Sequence, residues 1–225
     1  GQTIDNCQHV VMGCCTNLLD LYERLGVSNL IEWHRRLYFA VPSTNGDVPP
    51  DVLEADDLPA PLHLTRSMMG FRGLTLCEKL AISRGMLAIM RIGSANRHKL
   101  HDTSFADWLK QQQQPRGAID KFWAPVIISA INELPENVAT DYALHVFQDG
   151  FLASDDAYVM GVSKVPLVKL YDRATQVIEA AGGTVLLSTS AESFVFDGRH
   201  VTQLTADGQT HAGDAYISAL PFDRL

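Results

Sequence analysis

Residues 58–153 of this 225-residue chain read mainly as helix, with a polar break over 93–102, and no other feature constrains the fold as much. The best segment is 74–92, where Leu76, Leu80, Leu87 and Met90 are among the apolar positions at helical spacing. Gly85 weakens it slightly. Leu58-Pro59-Ala60-Pro61 opens the block, and Pro61 suits a first helical turn. Thr103 or Ser104 can cap a helix over 105–114, which Pro115 and Gly117 end. A strongly apolar helix follows over 118–132, bent or restarted at Pro125 and capped at Asn132, and another over 137–151. Four or five helices rich in Leu, Met, Phe and Trp and poor in charge can hide their apolar stripes only by stacking into one layer.

The flanks have a different texture. Val10 to Met12 is a short apolar run ending at Gly13, and residues 18–25 form a helical stripe that Gly26 stops. Ile31, Trp33, Arg35, Leu37 and Phe39 alternate, which predicts one strand over 31–41. Residues 42–61 are turn-rich, and Asp51, Glu54, Asp56 and Asp57 read there as a solvated acidic surface. After the helical block come a strand over 157–162, a helix over 167–181 stopped by Gly182-Gly183 and a strand over 184–187. A hairpin over 193–205 and a last strand over 215–220 close the pattern. By pattern alone this is an α/β layer with a helical insertion.

Composition narrows the partners. A net charge of −8 argues against a nucleic-acid backbone. No apolar run reaches the roughly 18 residues of a spanning helix. Cys7, Cys14, Cys15 and Cys77 form neither a Cys-x-x-Cys pair nor a metal spacing, so four reduced thiols in a cytoplasmic protein are expected. His98 and His101, three residues apart in a polar break, have no third ligand at zinc-site spacing, and no metal site is expected. No basic amphipathic helix is evident.

Chemistry concentrates at the start. Asp5, Asn6, Gln8 and His9 precede the apolar run directly, which can carry a polar cluster to a cavity wall. His9 can exchange a proton near neutral pH, or fix the loop by hydrogen bonds to backbone. Phe122 and Trp123 are helical bulk that serves as core or as the wall of a long apolar channel. The methionines near 68–69 and 90 suit an adaptable wall of the same kind.

The segment Asp5-Asn6-Cys7-Gln8-His9 followed by Gly13-Cys14 resembles the Asp-Asn-x-Gln-His segment of flavin-dependent squalene-associated oxidoreductases. The likeness continues, in order, through Leu58-Pro59-Ala60-Pro61-Leu62-His63-Leu64, Phe122-Trp123, Ala130-Ile131-Asn132, Pro166-Leu167 and Gly213-Asp214-Ala215-Tyr216-Ile217-Ser218-Ala219-Leu220-Pro221. It is similar above all to the bacterial hydroxysqualene dehydroxylases, within the group that includes phytoene desaturases and flavin amine oxidases. The resemblance implies part of a Rossmann-like FAD-binding domain with a largely helical substrate-domain insertion. It divides the chain into a cofactor-domain segment over 1–27, the substrate domain over 28–155 and a returning cofactor segment over 156–225.

It also implies FAD as cofactor, held through Asp5, Asn6, Gln8, Ala191, Ala219 and Pro221, with His9 catalytic and Phe122 and Trp123 on the substrate. The implied substrate is a long-chain isoprenoid and the implied reaction reductive dehydroxylation of hydroxysqualene, with carotenoid-type desaturation as the alternative. A lipid-binding module without chemistry is the non-enzymatic alternative. A greasy substrate makes peripheral contact with the inner membrane an expectation for a cytoplasmic enzyme. No Gly-x-Gly-x-x-Gly turn occurs in the 225 residues. An internal fragment of a longer flavoprotein, lacking the pyrophosphate-binding start and the later flavin segment, is therefore expected.

Overall fold

The computed structural model describes residues 5, 9–40 and 48–220. Asn6, Cys7, Gln8 and Pro221 lie outside them. The chain divides into two compact units, 1–171 and 172–225.

The first unit is built on a small antiparallel sheet of three strands, β1 (Val10–Met12), β2 (Ile31–His34) and, from far along the chain, β5 (Met160–Ser163). The order is β1-β5-β2. Val11 and Trp33 both lie opposite Gly161. A Cβ on Gly161 would lie 2.6 Å from Ile31 Cγ2 and 2.8 Å from Val11 Cγ1, so glycine is what lets three side chains converge over the central strand. That face carries buried Val11 and Ile31, near α1 (Thr16–Arg24) with its buried Tyr22. The Tyr22 and Tyr171 hydroxyls meet at 3.2 Å. Residues 156–171 fall within this first unit.

One predicted strand becomes two. The 31–41 pattern breaks at Arg35-Arg36, and β3 (Leu37–Phe39) leaves to pair with β4 (Asp51–Leu53) as a separate antiparallel pair. Tyr158 explains the break. Its hydroxyl donates to the Arg35 carbonyl and accepts from Ala55 N–H, both at 2.8 Å, so two main-chain groups bond to a side chain rather than to a ladder. Asp51 is not a solvated surface residue as expected. It is buried and accepts from the N–H groups of Arg72 and Gly73, both at 2.8 Å. Burial alone would raise its carboxyl, but those backbone donors and Arg72 hold it below the usual range.

The helical block follows: α2 (Thr65–Gly70), α3 (Leu76–Ile92), α4 (Phe105–Gln111), α5 (Arg116–Ala118), α6 (Ala124–Ile131) and α7 (Thr140–Phe147). Wide π-helical turns at Ile119–Trp123 and Gln148–Leu152 lead into α6 and out of α7. Pro61 does not begin a helix; it follows a cis peptide, and helix starts only at Thr65. A full capping box fastens α3: Thr75 Oγ accepts from Glu78 N–H, and the Glu78 carboxylate accepts from Thr75 N–H. Lys121 Nζ adds a donor at 3.2 Å. The Thr75 N–H and Lys121 together hold the Glu78 carboxyl below its ordinary range. Ser104 caps α4, and Asn132 ends α6 in the left-handed region at φ 59°.

The core centres on rings. Trp123 packs edge-on against Phe147 at 4.9 Å and against Phe122 at 5.1 Å. Its indole N–H donates to Gln114 Oε1 at 2.9 Å, while Gln114 Nε2 donates to the Ala81 carbonyl at 2.7 Å. Buried Gln114 is thus a polar pin rather than part of a surface run. Gly85 weakens α3 locally, yet a Cβ there would lie 2.8 Å from Trp123 Cζ2. The lost propensity makes room for the indole.

In the second unit β6 (Ala191–Asp197), β7 (His200–Ala206) and β8 (Gln209–Ala212) form an antiparallel meander, with turns at Gly198 and Asp207-Gly208. Helix α8 (Val168–Ala180) ends at Gly182, φ 84°. The strands expected over 184–187 and 215–220 do not form among the described residues, because no neighbour pairs with them. Ile217 is 97% exposed. Tyr216 still anchors the last stretch by donating to the Thr202 carbonyl at 2.6 Å.

Replacing Gly161 by valine should lower stability by roughly 2 kcal/mol or more through overpacking, seen as a lower urea midpoint with the helical signal kept in water. Gly85→Ala should act in the same direction through Trp123. A third expectation concerns His63, which is fully buried with neither ring nitrogen hydrogen-bonded. Burial holds its pKa below the ordinary 6.5, although Asp155 and Asp56 pull the other way. The unfolded chain therefore takes up the proton first on acidification, and stability falls as pH drops below about 6.5. Urea midpoints at pH 7.5 and 5.5 should differ less for His63→Phe than for the parent.

Candidate functional site

The face of the β1-β5-β2 sheet opposite α1 looks into a cavity of about 930 Å³ inside the first unit. Strand alternation puts Val10, His34, Met160 and Val162 on this face. The second pair of strands contributes Leu37, Tyr38 and Phe39, and the start of α6 contributes Pro125 and Val126. Lys121, Asp120, Arg36 and Asp51 are the charged members of the wall.

Each of those four is already matched. Lys121 meets Glu78 at 3.2 Å, Asp120 meets Arg116 at 2.9 Å, Arg36 meets Glu54 at 2.9 Å and Asp51 meets Arg72 at 3.5 Å. An ionic guest would have to break one of these pairs. A neutral apolar guest needs none of them, and releasing water from the apolar wall favours it.

A second hollow of about 220 Å³ lies among the helices. Met68, Met69, Met86 and Met90 line it, four of the chain's six methionines, together with Phe122 and Leu53. Thr65 and Ser83 are its polar members. Phe151 lines both spaces, so its ring stands between them. Methionine's unbranched, polarisable side chain lets such a wall adapt to its contents.

The sequence-derived candidates distribute unevenly. Phe122 lines the second hollow. Trp123 is not on either lining; it is wholly buried among Phe105, Phe122 and Phe147 and bonded to Gln114. His9 is exposed and immediately precedes Val10, which is on the cavity wall. Asp5 is exposed, and its carboxylate accepts from Leu167 N–H at 3.1 Å, tying the opening cluster to the approach to α8. Asn6, Gln8 and Pro221 lie outside the described residues. Ala191 begins β6 opposite Ala206, and Ala219 lies exposed in the extended end; both belong to the second unit.

His34 and Lys121 were not singled out from sequence. Nothing in a lone histidine at a strand end or a lysine in an apolar helix marks them; the cavity does. Thr75-x-x-Glu78 was a legible signal for the cap that positions Lys121's partner. Among the described residues no His, Cys, Asp and Glu group could hold a metal, and Cys14, Cys15 and Cys77 are free thiols. Burial pushes the Cys14 thiol up to about 11, which keeps it protonated at neutral pH.

The chain is 24% identical over 227 residues to the 15-cis-phytoene desaturase of Synechococcus elongatus, covering 96% of this chain and 47% of that protein. It is 26% identical over 226 residues to the 15-cis-phytoene desaturase of Arabidopsis thaliana, covering 96% and 39%. To the zeta-carotene desaturase of the same plant it is 24% identical over 228 residues, covering 97% and 39%. The chain thus spans less than half the length of these relatives. Among solved structures, an oxidoreductase from Methanosarcina mazei superposes with a TM-score of 0.58 at 13% identity, covering 92% of this chain and 45% of that one, which is a likeness of fold. The family model for flavin containing amine oxidoreductase matches residues 1–225. Its mixed helix and strand architecture, its apolar cavity and that full-length match agree: this chain belongs to the flavin-containing amine oxidoreductase family.

Proposed function

We propose that the chain supplies the substrate-binding part of an FAD-dependent oxidoreductase that acts on a long isoprenoid hydrocarbon, with carotenoid-type desaturation as the reaction. The carrying observation is the large cavity whose charged wall residues are all paired within the protein, leaving an apolar interior. A polyene hydrocarbon has no group to hydrogen-bond, so shape and exclusion of water must do the binding. The relatives named as phytoene and zeta-carotene desaturases support the reaction type.

Bound FAD would supply the hydride acceptor. Among the described residues Asp5 accepts from the Leu167 amide, and Ala191 and Ala219 are exposed on the second unit. The contribution of this chain is then twofold. The sheet face and Phe151 align a long apolar chain, and His9, in the polar cluster just ahead of β1, takes up the proton released as a C–H bond is oxidised.

A second reading is reductive removal of the hydroxyl from hydroxysqualene to give squalene. What favours it is the ordered set of segments from Asp5-Asn6-Cys7-Gln8-His9 to Gly213–Pro221. There His9 would donate its proton to the departing oxygen. The two run hydride in opposite directions, so the products separate them.

The FAD-loaded full-length protein, given phytoene and hydroxysqualene in parallel, should yield a conjugated polyene from the first. Squalene from the second alone would favour dehydroxylation, and neither product would remove both. His9→Ala should cut turnover by about 10²-fold or more with an unchanged melting temperature; unchanged turnover would end its proton role. Val162→Trp should fill the cavity beside Val10, abolishing the rise in melting temperature that bound hydrocarbon produces while leaving the unliganded melt nearly in place.

A further inference from the structure

One side of the Met-lined hollow is formed by the stretch between β4 and Phe71, which contributes Leu62, Leu64, Met68 and Met69 to the lining. Residues 54–70 are exposed or half-buried with one exception, His63, which is wholly buried. Half-buried Leu64 and Met68 lean on the core, but only His63 is taken fully inside. The stretch is tied down at its two ends. Arg36 pairs with Glu54 at 2.9 Å, the Tyr158 hydroxyl accepts from Ala55 N–H at 2.8 Å, and Lys79 Nζ donates to the Met69 carbonyl at 2.7 Å. Between those points the hydrogen bonds among the described residues close the stretch on itself. Asp56 N–H donates to the His63 carbonyl at 2.8 Å, Leu58 N–H to Asp56 Oδ1 at 2.9 Å and Glu54 N–H to Ser67 Oγ at 3.1 Å. A seventeen-residue cover thus has a single buried anchor, and that anchor is an imidazole with neither nitrogen hydrogen-bonded.

An apolar residue would fill that place without penalty, whereas an imidazole there is held only while it is neutral. The Tyr158 ring lies 6.1 Å from it, with its hydroxyl already committed to Ala55 and Arg35. Burial disfavours the charged ring, while Asp155, ahead of β5, and Asp56, on the stretch itself, favour it; burial prevails. The cations nearby are matched elsewhere: Arg66 on α2 faces Asp56 at 3.6 Å, and Arg35 pairs with Asp156 at 2.8 Å. Asp56 Oδ2 is itself buried without a hydrogen bond, so a charged His63 has one inward partner to weigh against water. Outside, the imidazole regains the ordinary value of about 6.5. The outward position therefore binds a proton more tightly than the buried one. Acidification through about pH 6.5 draws the ring out, by at most about tenfold per pH unit for one proton.

We propose that residues 54–70 form a flap over the Met-lined hollow, latched by neutral His63 and released when that ring takes up a proton. Release uncovers Met86 and Met90 on the α3 side of the hollow and gives an apolar guest a way in. The event is local: it breaks the packing of one side chain and leaves the ring core around Trp123 and Phe147 in place. It controls access to the hollow whatever occupies it, so it stands apart from the reaction proposed above.

The test is amide hydrogen exchange read by mass spectrometry at pH 7.5 and 5.5, on a time axis corrected for the intrinsic pH dependence of exchange. Peptides covering 54–70 should lose protection at the lower pH, by up to about tenfold for one proton taken up below about pH 6.5. Peptides of α4 and α7 should stay protected over the same period. In His63→Phe the flap should remain closed at both values. Deuterium uptake at the His63 ring carbon between the two nitrogens, measured on the parent chain, should follow the same midpoint as the flap and needs no variant. Loss of protection in α4 and α7 together with the flap would make the event global unfolding and overturn the proposal. So would a pH response that survives His63→Phe, or ring and flap midpoints that differ. Protection of 54–70 that rises in acid, and no longer does so in Asp56→Asn, would mean that the charged ring pairs inward with Asp56, and would overturn it as well.

Discussion

The pairing of β5 with both β1 and β2 is the contact on which the first unit depends. It joins residues about 125 to 150 positions apart and so closes the helical block between them into a loop that starts and ends on one sheet. Gly161 makes that closure tight. Without a Cβ at the centre of the middle strand, Val11, Ile31 and Trp33 can meet over it and seal the face near α1. The other face is thereby left to look toward the helices. The cavity is the space between a sheet that cannot move closer and a helical layer held off by its own packing.

That helical layer has its own rigid centre. Trp123 is locked by ring contacts and by Gln114, and Gly85 yields room for it. Because the large aromatic side chains fill the core, flexible methionines are left to line the remaining hollow. Phe151 stands where the rigid core meets both spaces. The division puts stiffness where the fold is specified and compliance around the hollow.

The charged residues around the cavity show how an acidic chain can present an apolar interior. Glu78 is drawn inward by the α3 cap and in turn fixes Lys121, while Asp51 is consumed by two backbone donors. These groups stabilise loops and helix ends rather than waiting for a ligand. The wall they leave is largely apolar, in a chain of the flavin-containing amine oxidoreductase family.

Much of this was legible in the residues alone. Helical periodicity, the caps at Ser104 and Asn132, the glycine stops and the β6–β7 hairpin follow from local rules, since each depends on neighbours a few positions away. The ordered motifs identified the flavin family for the same reason: they are read along the chain. Other features depend on distant partners. The 31–41 strand split because Tyr158, more than a hundred residues later, took the Arg35 carbonyl, and Asp51 went inside because a loop at Arg72-Gly73 offered two N–H donors. The strands expected at 184–187 and 215–220 needed neighbours that these units do not supply. Which side of α3 faces water was set by packing, because an apolar helix does not say in its sequence which of its faces will be covered.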